Sequence, residues 1–242
     1  TALQMTKKIM GTFGFKYKYR LSTRDPQHPE KYLGDPKVWD KVEKWAEVIM
    51  ERNGIEYFQG PGEAAFYAPK MDLIATDALG RDWQLSTVQI DFVMPERFGL
   101  VYTDQDGSQK HPVMLHRAII GSAERMMMVL LEHFGGAFPT WLSPVQVAVL
   151  PISEKTMEYS QKVADELKKQ GIRVELNTAA DSLGKKIRNA EAEKVPYMLI
   201  IGEKEAEAKQ VSVRQRGQKD LGTMNVADFA DKIIKEIEEK SL

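Results

Sequence analysis

The chain has 242 residues, of which 43% are hydrophobic and 29% charged, and this composition excludes a disordered or collagen-like protein. Lysine and arginine number 34 against 35 aspartates and glutamates, so the net charge of −1 gives no global attraction to nucleic acid and any such binding must be local. Cysteine is absent, which excludes disulfides and thiolate metal ligands within the chain. The longest apolar run, residues 126–131, is too short to cross a bilayer, and we expect a cytoplasmic protein without a signal peptide or a membrane partner.

Helices and strands separated by turns are predicted in the first 140 residues. Apolar residues recur at helical spacing over 38–49, so one amphipathic helix is predicted between Asp35-Pro36 and Asn53-Gly54, and residues 121–134 predict a second. Residues 16–22 and 83–92 alternate as strands do, with turns at Gly80 and at 104–108. The expected buried side is Val38, Val42, Trp45, Ala46 and Ile49 in the first helix, and Ala123, Met127, Leu130, Leu131 and Phe134 in the second.

A proline-containing linker around residues 139–144 is followed by a different pattern. Strands are predicted at 145–152, 172–176, 196–201 and 211–214, and helices at 154–169, 182–194 and 226–239. This alternation indicates a small three-layer α/β domain with a mixed, mostly parallel sheet. We therefore predict the α/β (α+β) class, with two domains at residues 1–140 and 141–242.

Candidate site residues must be sought in polar stretches, because the common dinucleotide, P-loop, metalloprotease and serine-hydrolase motifs do not occur. In residues 62–70, Tyr67 would pack its ring against a ligand's ammonium group, and Lys70 would neutralise a carboxylate or phosphate. The alternative is a turn that carries a surface lysine. Gln84 and Gln89 lie an odd number of residues apart, so they share a strand face only if a bulge intervenes, for which Ser86-Thr87 is the candidate. These polar residues would line a ligand site on one face of the sheet, but a sheet face that is open to solvent explains them equally well.

Residues 116–125 predict a strand, a turn and the start of a helix. Amides at a helix start favour anions and Arg125 would bind phosphate oxygens; the alternative is a plain capping turn in which Glu124 and Arg125 form a surface pair. His116 is a candidate metal ligand, although a zinc site takes three or four ligands. Further along, basic residues including Lys204 and Arg214 alternate with glutamates, which is typical of a solvated hairpin or of a surface that contacts RNA.

Seven segments together carry a family resemblance. They are LSTR (21–24), AFYAPK (65–70), WQLSTVQIDF (83–92), MLHRAIIGSAER (114–125), FPTWLSPVQV (138–147), VPYMLIIGEKE (195–205) and VSVRQR (211–216). In this order, from about Phe13 to the end, the chain resembles the C-terminal part of the threonyl-tRNA synthetases, which are class II aminoacyl-tRNA synthetases. The resemblance implies the antiparallel catalytic portion with motif 3, followed by an anticodon-binding domain.

The resemblance also implies an activity and a role for each matching residue. The family uses ATP with Mg²⁺ to form threonyl-adenylate from L-threonine, then transfers the amino acid to tRNA(Thr). The implied roles are phosphate binding for Arg125, a position near the reacting carboxyl for Lys70, contact with the threonine ammonium for Tyr67, lining of the substrate site for Gln84, Thr87, Gln89 and Ser122, zinc ligation for His116, and anticodon contact for Arg188, Lys204, Glu205 and Arg214.

The family's motifs 1 and 2 and its other two zinc ligands lie upstream of the segments that match here. We therefore expect this chain to need an upstream half for adenylate formation, and the full-length protein to be a homodimer. Two alternatives remain open. One is a non-catalytic RNA-binding or protein-binding module derived from a synthetase, and the other is a prolyl, glycyl or histidyl enzyme that shares the anticodon domain.

Overall fold

The computed structural model describes residues 2–217 and 219–242, which form two compact units. The first unit ends at His133 and the second begins at Phe134, so the boundary precedes the expected one between 140 and 141. The linker residues belong to the second unit because that unit binds their carbonyls. Arg216 Nη1 donates to Phe138 O at 2.9 Å, and Lys194 Nζ donates to Gly135 O.

The first unit is built on a five-stranded sheet. Its elements are α1 (Ala2–Gly11), β1 (Tyr17–Thr23), α2 (Pro36–Arg52), β2 (Tyr57–Pro61), β3 (Lys70–Thr76), β4 (Asp82–Asp91), α3 (Met94–Arg97), β5 (Tyr102–Thr103), β6 (Gln109–Lys110), β7 (Met114–Ala118) and α4 (Ala123–Phe134). The strand order is β2–β1–β3–β4–β7, with β1 and β2 parallel and every other pair antiparallel. Strands β5 and β6 form a separate hairpin at the predicted turn over 104–108.

Helix α2 begins and ends where the sequence predicts, but the predicted buried side is partly wrong. Asp35 accepts a hydrogen bond from Lys37 N at the start, and Asn53 follows the last turn. The buried residues are Trp39, Val42, Ala46 and Met50, whereas Val38 and Trp45 are exposed. The buried side is rotated because Trp39 donates from Nε1 to Leu33 O at 2.7 Å and packs edge-on against Phe92.

The predicted buried side of α4 is also partly wrong. Met126 and Val129 are its buried residues, whereas Ala123, Met127 and Leu131 are exposed. The stretch of residues 126–131 is apolar on all sides, so helical periodicity alone does not select a face. Contact with the sheet selects it, because Met126 and Val129 belong to the same apolar cluster as Leu21, Leu73 and Leu85.

The second unit has a mixed sheet between two layers of helices. Its elements are β8 (Val147–Pro151), α5 (Met157–Lys169), β9 (Val174–Leu176), α6 (Leu183–Ala192), β10 (Tyr197–Ile201), α7 (Glu203–Ala208), β11 (Gln210–Gln215), β12 (Lys219–Asn225) and α8 (Val226–Glu239). The strand order is β12–β11–β10–β8–β9; β8 pairs in parallel with β9 and β10, whereas β11 and β12 pair antiparallel. Helices α5 and α8 cover one face and α6 covers the other.

Two elements of the second unit have no counterpart among the predicted ones. Helix α7 is a single acidic segment, EKEAEA, without an apolar period, and β12 carries few of the branched residues that indicate strands. Each forms because of its tertiary neighbours: Ala206 packs into the apolar cluster of the unit, and β12 extends the sheet from β11.

Candidate functional site

A row of polar side chains lies on one face of the first sheet, which we call the polar face. Arg20 pairs with Asp72, Asp72 with Thr87, and Gln89 with both Lys70 and His116 in the antiparallel ladder. Side chains of directly paired residues project from the same face. The polar face therefore carries Arg20, Ser22, Lys70, Asp72, Gln84, Thr87, Gln89 and His116, while the opposite face packs into the apolar core.

A bulge in β4 brings Gln84 onto this face. Leu73 pairs with Ser86 and the next residue of β3 pairs with Gln84, so Leu85 is an extra residue in the ladder. Gln84 and Gln89 therefore share a face despite their odd separation, because the bulge that the sequence argument set as the condition is present. The bulge lies at Leu85, one residue before the predicted Ser86-Thr87.

Asp72 binds several of the polar-face side chains at once. Its carboxylate is fully buried and accepts from Arg20 Nη2 at 3.1 Å, Ser22 Oγ at 2.7 Å and Gln84 Nε2 at 3.0 Å. Lys70 Nζ lies 3.4 Å away. A buried carboxylate needs such partners because an unpaired buried charge is strongly unfavourable. The consequence is that the Gln84 amide and the two cations have fixed positions before any ligand binds.

A second group on the polar face surrounds His116. Tyr67 donates its hydroxyl to Gln89 Oε1 at 2.7 Å, and its ring lies 5.5 Å from the His116 ring. Burial and, secondarily, the charge of Asp91 raise the pKa of the Tyr67 phenol, so the hydroxyl remains a donor. His116 Nε2 lies 2.8 Å from the buried Asp91 carboxylate. The structure thus brings together Tyr67, Gln89 and His116, which the sequence named separately.

The turn before α4 fits closely against the β4 bulge. Gly121 has φ +68°, and a Cβ at this position would lie 2.4 Å from Leu85 O, so only glycine allows this approach. Ser122 Oγ accepts from Arg125 N at 3.2 Å, which is the capping role that the sequence left as the alternative. Arg125 Nη1 donates to Gln84 O at 2.8 Å, so the guanidinium lies beside the bulge of β4, and the residue is exposed.

Thr87 lies between these groups. Within the described part of the chain, its Oγ1 is buried and has no hydrogen-bond partner. Buried hydroxyls are normally paired, so an unpaired one on the polar face is a candidate contact for a ligand. Thr87 therefore supports the assignment of the polar face as a ligand surface.

Sequence reasoning missed Arg20, Asp72 and Asp91. A signal for the two acids exists: each is a carboxylate inside an otherwise apolar strand, KMDLIAT for Asp72 and STVQIDF for Asp91. Asp and Glu are almost never buried without partners, so each predicts a partner nearby. Arg20 carries no comparable signal, because its polar-face partners Asp72 and Gln84 lie 52 and 64 residues further along the chain.

The four predicted anticodon residues differ in their surroundings. Arg188 on α6 and Lys204 on α7 are exposed. Glu205 accepts from Gly202 N at 2.8 Å and so caps the start of α7, and Arg214 Nη2 lies 3.3 Å from Glu191 on α6. Ile201 pairs with Pro151, and Lys186 Nζ of α6 donates to Pro151 O at 3.0 Å, so α6 and the start of α7 approach the same carboxyl edge of the sheet.

Among residues 2–217 and 219–242, no group of three or more His, Asp or Glu side chains could hold a metal ion. His116 fits as one ligand, because a metal-binding imidazole commonly bonds a carboxylate through its other nitrogen, as it does here to Asp91. The described helices include none that is long and apolar enough to cross a membrane.

Comparison with known proteins identifies both units. Residues 2–134 match the family described as "tRNA synthetase class II core domain (G, H, P, S and T)", and residues 146–236 match "Anticodon binding domain". The chain is 50% identical over 241 residues to the threonine–tRNA ligase of Prosthecochloris aestuarii, covering 99% of this chain and 37% of that protein. It thus spans little more than a third of the curated relative.

Solved structures give the same relationship. One is the crystal structure of the RNA binding domain of threonyl-tRNA synthetase from Cryptosporidium parvum Iowa II. Its sequence is 39% identical to this chain and the TM-score is 0.89; the match covers 97% of this chain and 58% of that chain. A putative threonyl-tRNA synthetase from Aeropyrum pernix is 28% identical with a TM-score of 0.74, covering 99% of this chain and 59% of that chain. The chain therefore belongs to the class II tRNA synthetases of the G, H, P, S and T group, and it is similar to threonine–tRNA ligases.

Proposed function

We propose that this chain supplies part of the activation site and the anticodon-binding unit of a threonine–tRNA ligase. The reaction joins L-threonine and ATP, with Mg²⁺, into threonyl-adenylate and then transfers the amino acid to tRNA(Thr). The observation that carries the proposal is the polar face itself, because the β4 bulge puts Gln84 on the same side of the sheet as Gln89 and His116, and Arg125 binds the Gln84 carbonyl. A homodimer in the cytoplasm is the proposed state of the full-length protein.

Adenylate formation needs two anions brought together, and the polar face offers cations for that purpose. In this proposal Arg125 binds the ATP phosphates from the exposed side of its guanidinium, while Lys70 lies near the carboxylate and the α-phosphate. Lys70 is 14% exposed and is held by Asp72, so its position requires no reorganisation during the reaction. Fixed cations that face developing charge are an effective form of catalysis, and the attacking nucleophile is the substrate's own carboxylate.

Recognition of the substrate is assigned to neutral groups on the same face. Tyr67 presents its ring, and Gln84, Thr87 and Gln89 present amide and hydroxyl groups to the amino acid and the adenosine. The unpaired Thr87 hydroxyl and the exposed part of Gln84 support this assignment. Ser122 is assigned to the substrate site through its place at the start of α4, although its hydroxyl already caps that helix.

Zinc is the proposed cofactor, and His116 is the ligand that this chain would contribute. A bound zinc ion would supply a Lewis acid that holds the amino and hydroxyl groups of threonine together. Valine lacks that hydroxyl, and a site built to bind it rejects such an analogue far better than an apolar pocket does. Asp91 and Tyr67 hold the imidazole in place before any metal binds.

The second unit is proposed to bind the anticodon arm of tRNA(Thr) through Arg188, Lys204, Glu205 and Arg214. The two exposed cations would contact phosphates or bases, and the partly exposed Glu205 and Arg214 would contact base edges. Binding of an anticodon stem–loop should weaken as salt rises, because each phosphate contact releases counterions. Arg188→Ala should reduce that salt dependence, whereas Lys168→Ala on the exposed end of α5 should leave it unchanged.

The test of catalysis joins this chain to the upstream segment of the Prosthecochloris aestuarii relative. With zinc and ATP, we expect threonine-dependent pyrophosphate exchange, and Arg125→Ala should reduce it at least ~100-fold. Arg117→Ala is the matched control, because Arg117 pairs with Val88 and projects from the opposite face of β7. Equal activity of the two variants would remove Arg125 from the phosphate site.

The second candidate function is an RNA-binding module without catalysis. It is favoured by one observation, that the solved Cryptosporidium structure covering 97% of this chain is described as an RNA binding domain. A folded fusion protein that binds the anticodon stem–loop but exchanges no pyrophosphate would select this alternative.

A further inference from the structure

Asp91 is a buried carboxylate with two separate sets of partners. Its Oδ1 accepts from the backbone amides of Val93 at 3.0 Å and Met94 at 2.9 Å, directly after β4. Its Oδ2 contacts His116 Nε2 at 2.8 Å. The side chain is fully buried, whereas that of His116 is 37% exposed. One oxygen therefore anchors the turn after the strand, and the other is left for the imidazole.

This geometry determines which ring nitrogen of His116 carries the proton. A carboxylate oxygen only accepts hydrogen bonds, and Oδ1 already accepts from two backbone amides, so Oδ2 is the acceptor that is left for the ring. The proton between Asp91 and His116 therefore belongs to Nε2. In the neutral ring the other nitrogen, Nδ1, is then the only one with a free lone pair.

We propose that Asp91 is a positioning residue that holds His116 in the Nε2–H tautomer and so keeps Nδ1 available as a ligand atom. The use of Nδ1 for a metal rests on the function proposed above, whereas the tautomer is a property of this chain alone. The ring of Tyr67, 5.5 Å from the imidazole, limits its rotation from another side. The same arrangement orients metal-binding histidines in many proteins, where loss of the carboxylate weakens metal binding 10–100-fold.

The substitution Asp91→Asn separates this role from the structural one. Asparagine has nearly the same shape, and its carbonyl oxygen accepts from Val93 N and Met94 N as Oδ1 does. Its NH₂ group then takes the place of Oδ2 and can only donate. His116 Nε2 must become an acceptor, which moves the ring proton to Nδ1 and removes the free lone pair there.

The experiment is long-range ¹H–¹⁵N NMR of the full chain labelled at histidine, at an alkaline pH where the rings are neutral. The sequence has four histidines, and loss of one signal set in His116→Gln assigns His116. We expect the Nε2–H pattern in the unsubstituted chain and the Nδ1–H pattern in Asp91→Asn. The control Asp106→Asn, on the exposed β5–β6 hairpin, should leave the His116 signals unchanged.

An Nδ1–H pattern in the unsubstituted chain would overturn the inference, even if Asp91→Asn failed to fold. A folded Asp91→Asn variant that keeps the Nε2–H pattern would overturn it too. The metal is tested separately in the fusion with the upstream segment, where Asp91→Asn should weaken zinc binding 10–100-fold in a competition assay with a chelator. If the unsubstituted fusion binds no zinc, the zinc assignment under the proposed function fails, and the tautomer in the chain itself still decides the inference.

Discussion

The two units place their predicted site residues differently because their sheets are covered differently. In the first unit the sheet packs on one face only, and the other carries a row of polar side chains. In the second unit helices cover both faces, and the predicted anticodon residues lie on α6, on α7 and on β11 near the sheet edge. An antiparallel sheet tolerates one open face, whereas a βαβ arrangement buries both.

This difference extends to buried ionisable groups. Asp72 in the first unit contacts four polar side chains, whereas Lys186 in the second unit is 4% exposed and donates to the single carbonyl of Pro151. The first arrangement is a network of contacts that fixes side chains of the polar face, and the second is a single hydrogen bond between a helix and a strand end. The energetic consequences of removing each should therefore differ.

The largest expected effect follows from removal of Asp72. Asp72→Ala leaves Arg20 and Lys70 without their buried counter-charge and should lower the free energy of unfolding of the first unit by about 3 kcal/mol. Lys186→Met replaces a buried ammonium by an apolar side chain of similar length. It should change the free energy of unfolding of the second unit by less than about 1.5 kcal/mol. Hydrogen exchange of the β3 and β10 amides measures the two units separately. Equal losses in the free energy of unfolding would contradict the distinction between the network and the single hydrogen bond.

The next effect concerns the turn that fits against the β4 bulge. Gly121→Ala combines a positive φ with a Cβ that would lie 2.4 Å from Leu85 O, so the turn must move away. We expect the free energy of unfolding to fall by at least about 2 kcal/mol. Gly80→Ala is the matched control, since its φ is +79° but its Cβ would meet nothing within 4 Å. It should lose only about 1 kcal/mol. Denaturant unfolding of both variants gives the difference, which isolates the close approach.

How far the sequence predicts this site depends on the range of each signal. Local signals succeed: the strand at 83–92, the turn at 104–108 and the helix start after Ser122 all lie where the pattern puts them. Strand geometry also gives the condition for Gln84 and Gln89 to converge, a bulge between them, although it does not decide whether the bulge forms. These features depend on neighbours within about ten residues.

Contacts over long sequence distances could not be predicted in the same way. The buried side of α4 is decided by its packing against the sheet, and the partners of Arg20 are decided by strand pairing. Periodicity cannot specify either, because both depend on which strands become neighbours. The resemblance to a family named the site residues without this information, but it did not supply Asp72 or Asp91, which hold those residues in place.

A smaller effect concerns the acid stability of the β3–β4 turn. Burial tends to raise the pKa of Asp77, but hydrogen bonds from Trp83 Nε1, the Arg81 backbone and side chain, and Leu79 N outweigh it, so the pKa falls from 3.8 to about 2. A carboxyl group with a lowered folded-state pKa stabilises the fold above its unfolded pKa, and this stabilisation is lost as the pH falls towards 2. Asp77→Asn should remove this part of the pH dependence. Thermal unfolding between pH 5 and pH 2 measures it, and parallel curves for both proteins would contradict the assignment.

The smallest expected change tests whether the polar face of the first sheet binds a ligand or is only exposed to solvent. Thr87→Val removes the one atom of this side chain that is buried without a partner in the described structure, and it keeps the shape. Loss of an unpaired buried hydroxyl should stabilise the first unit by about 1 kcal/mol. Denaturant midpoints measure this gain, and Thr76→Val is the control, because its hydroxyl donates to Asp82 at 2.8 Å and its removal should destabilise.

A stabilising Thr87→Val that also reduces threonine-dependent pyrophosphate exchange in the fusion protein would show that Thr87 is kept for a ligand at the expense of stability. A destabilising effect would mean that the hydroxyl has a partner in solution that fixes the sheet, and the polar face would then resemble the covered sheet of the second unit more than a binding surface. The sign of this small change therefore tests the comparison between the two units more directly than the larger losses do, because those report on packing whatever the face binds.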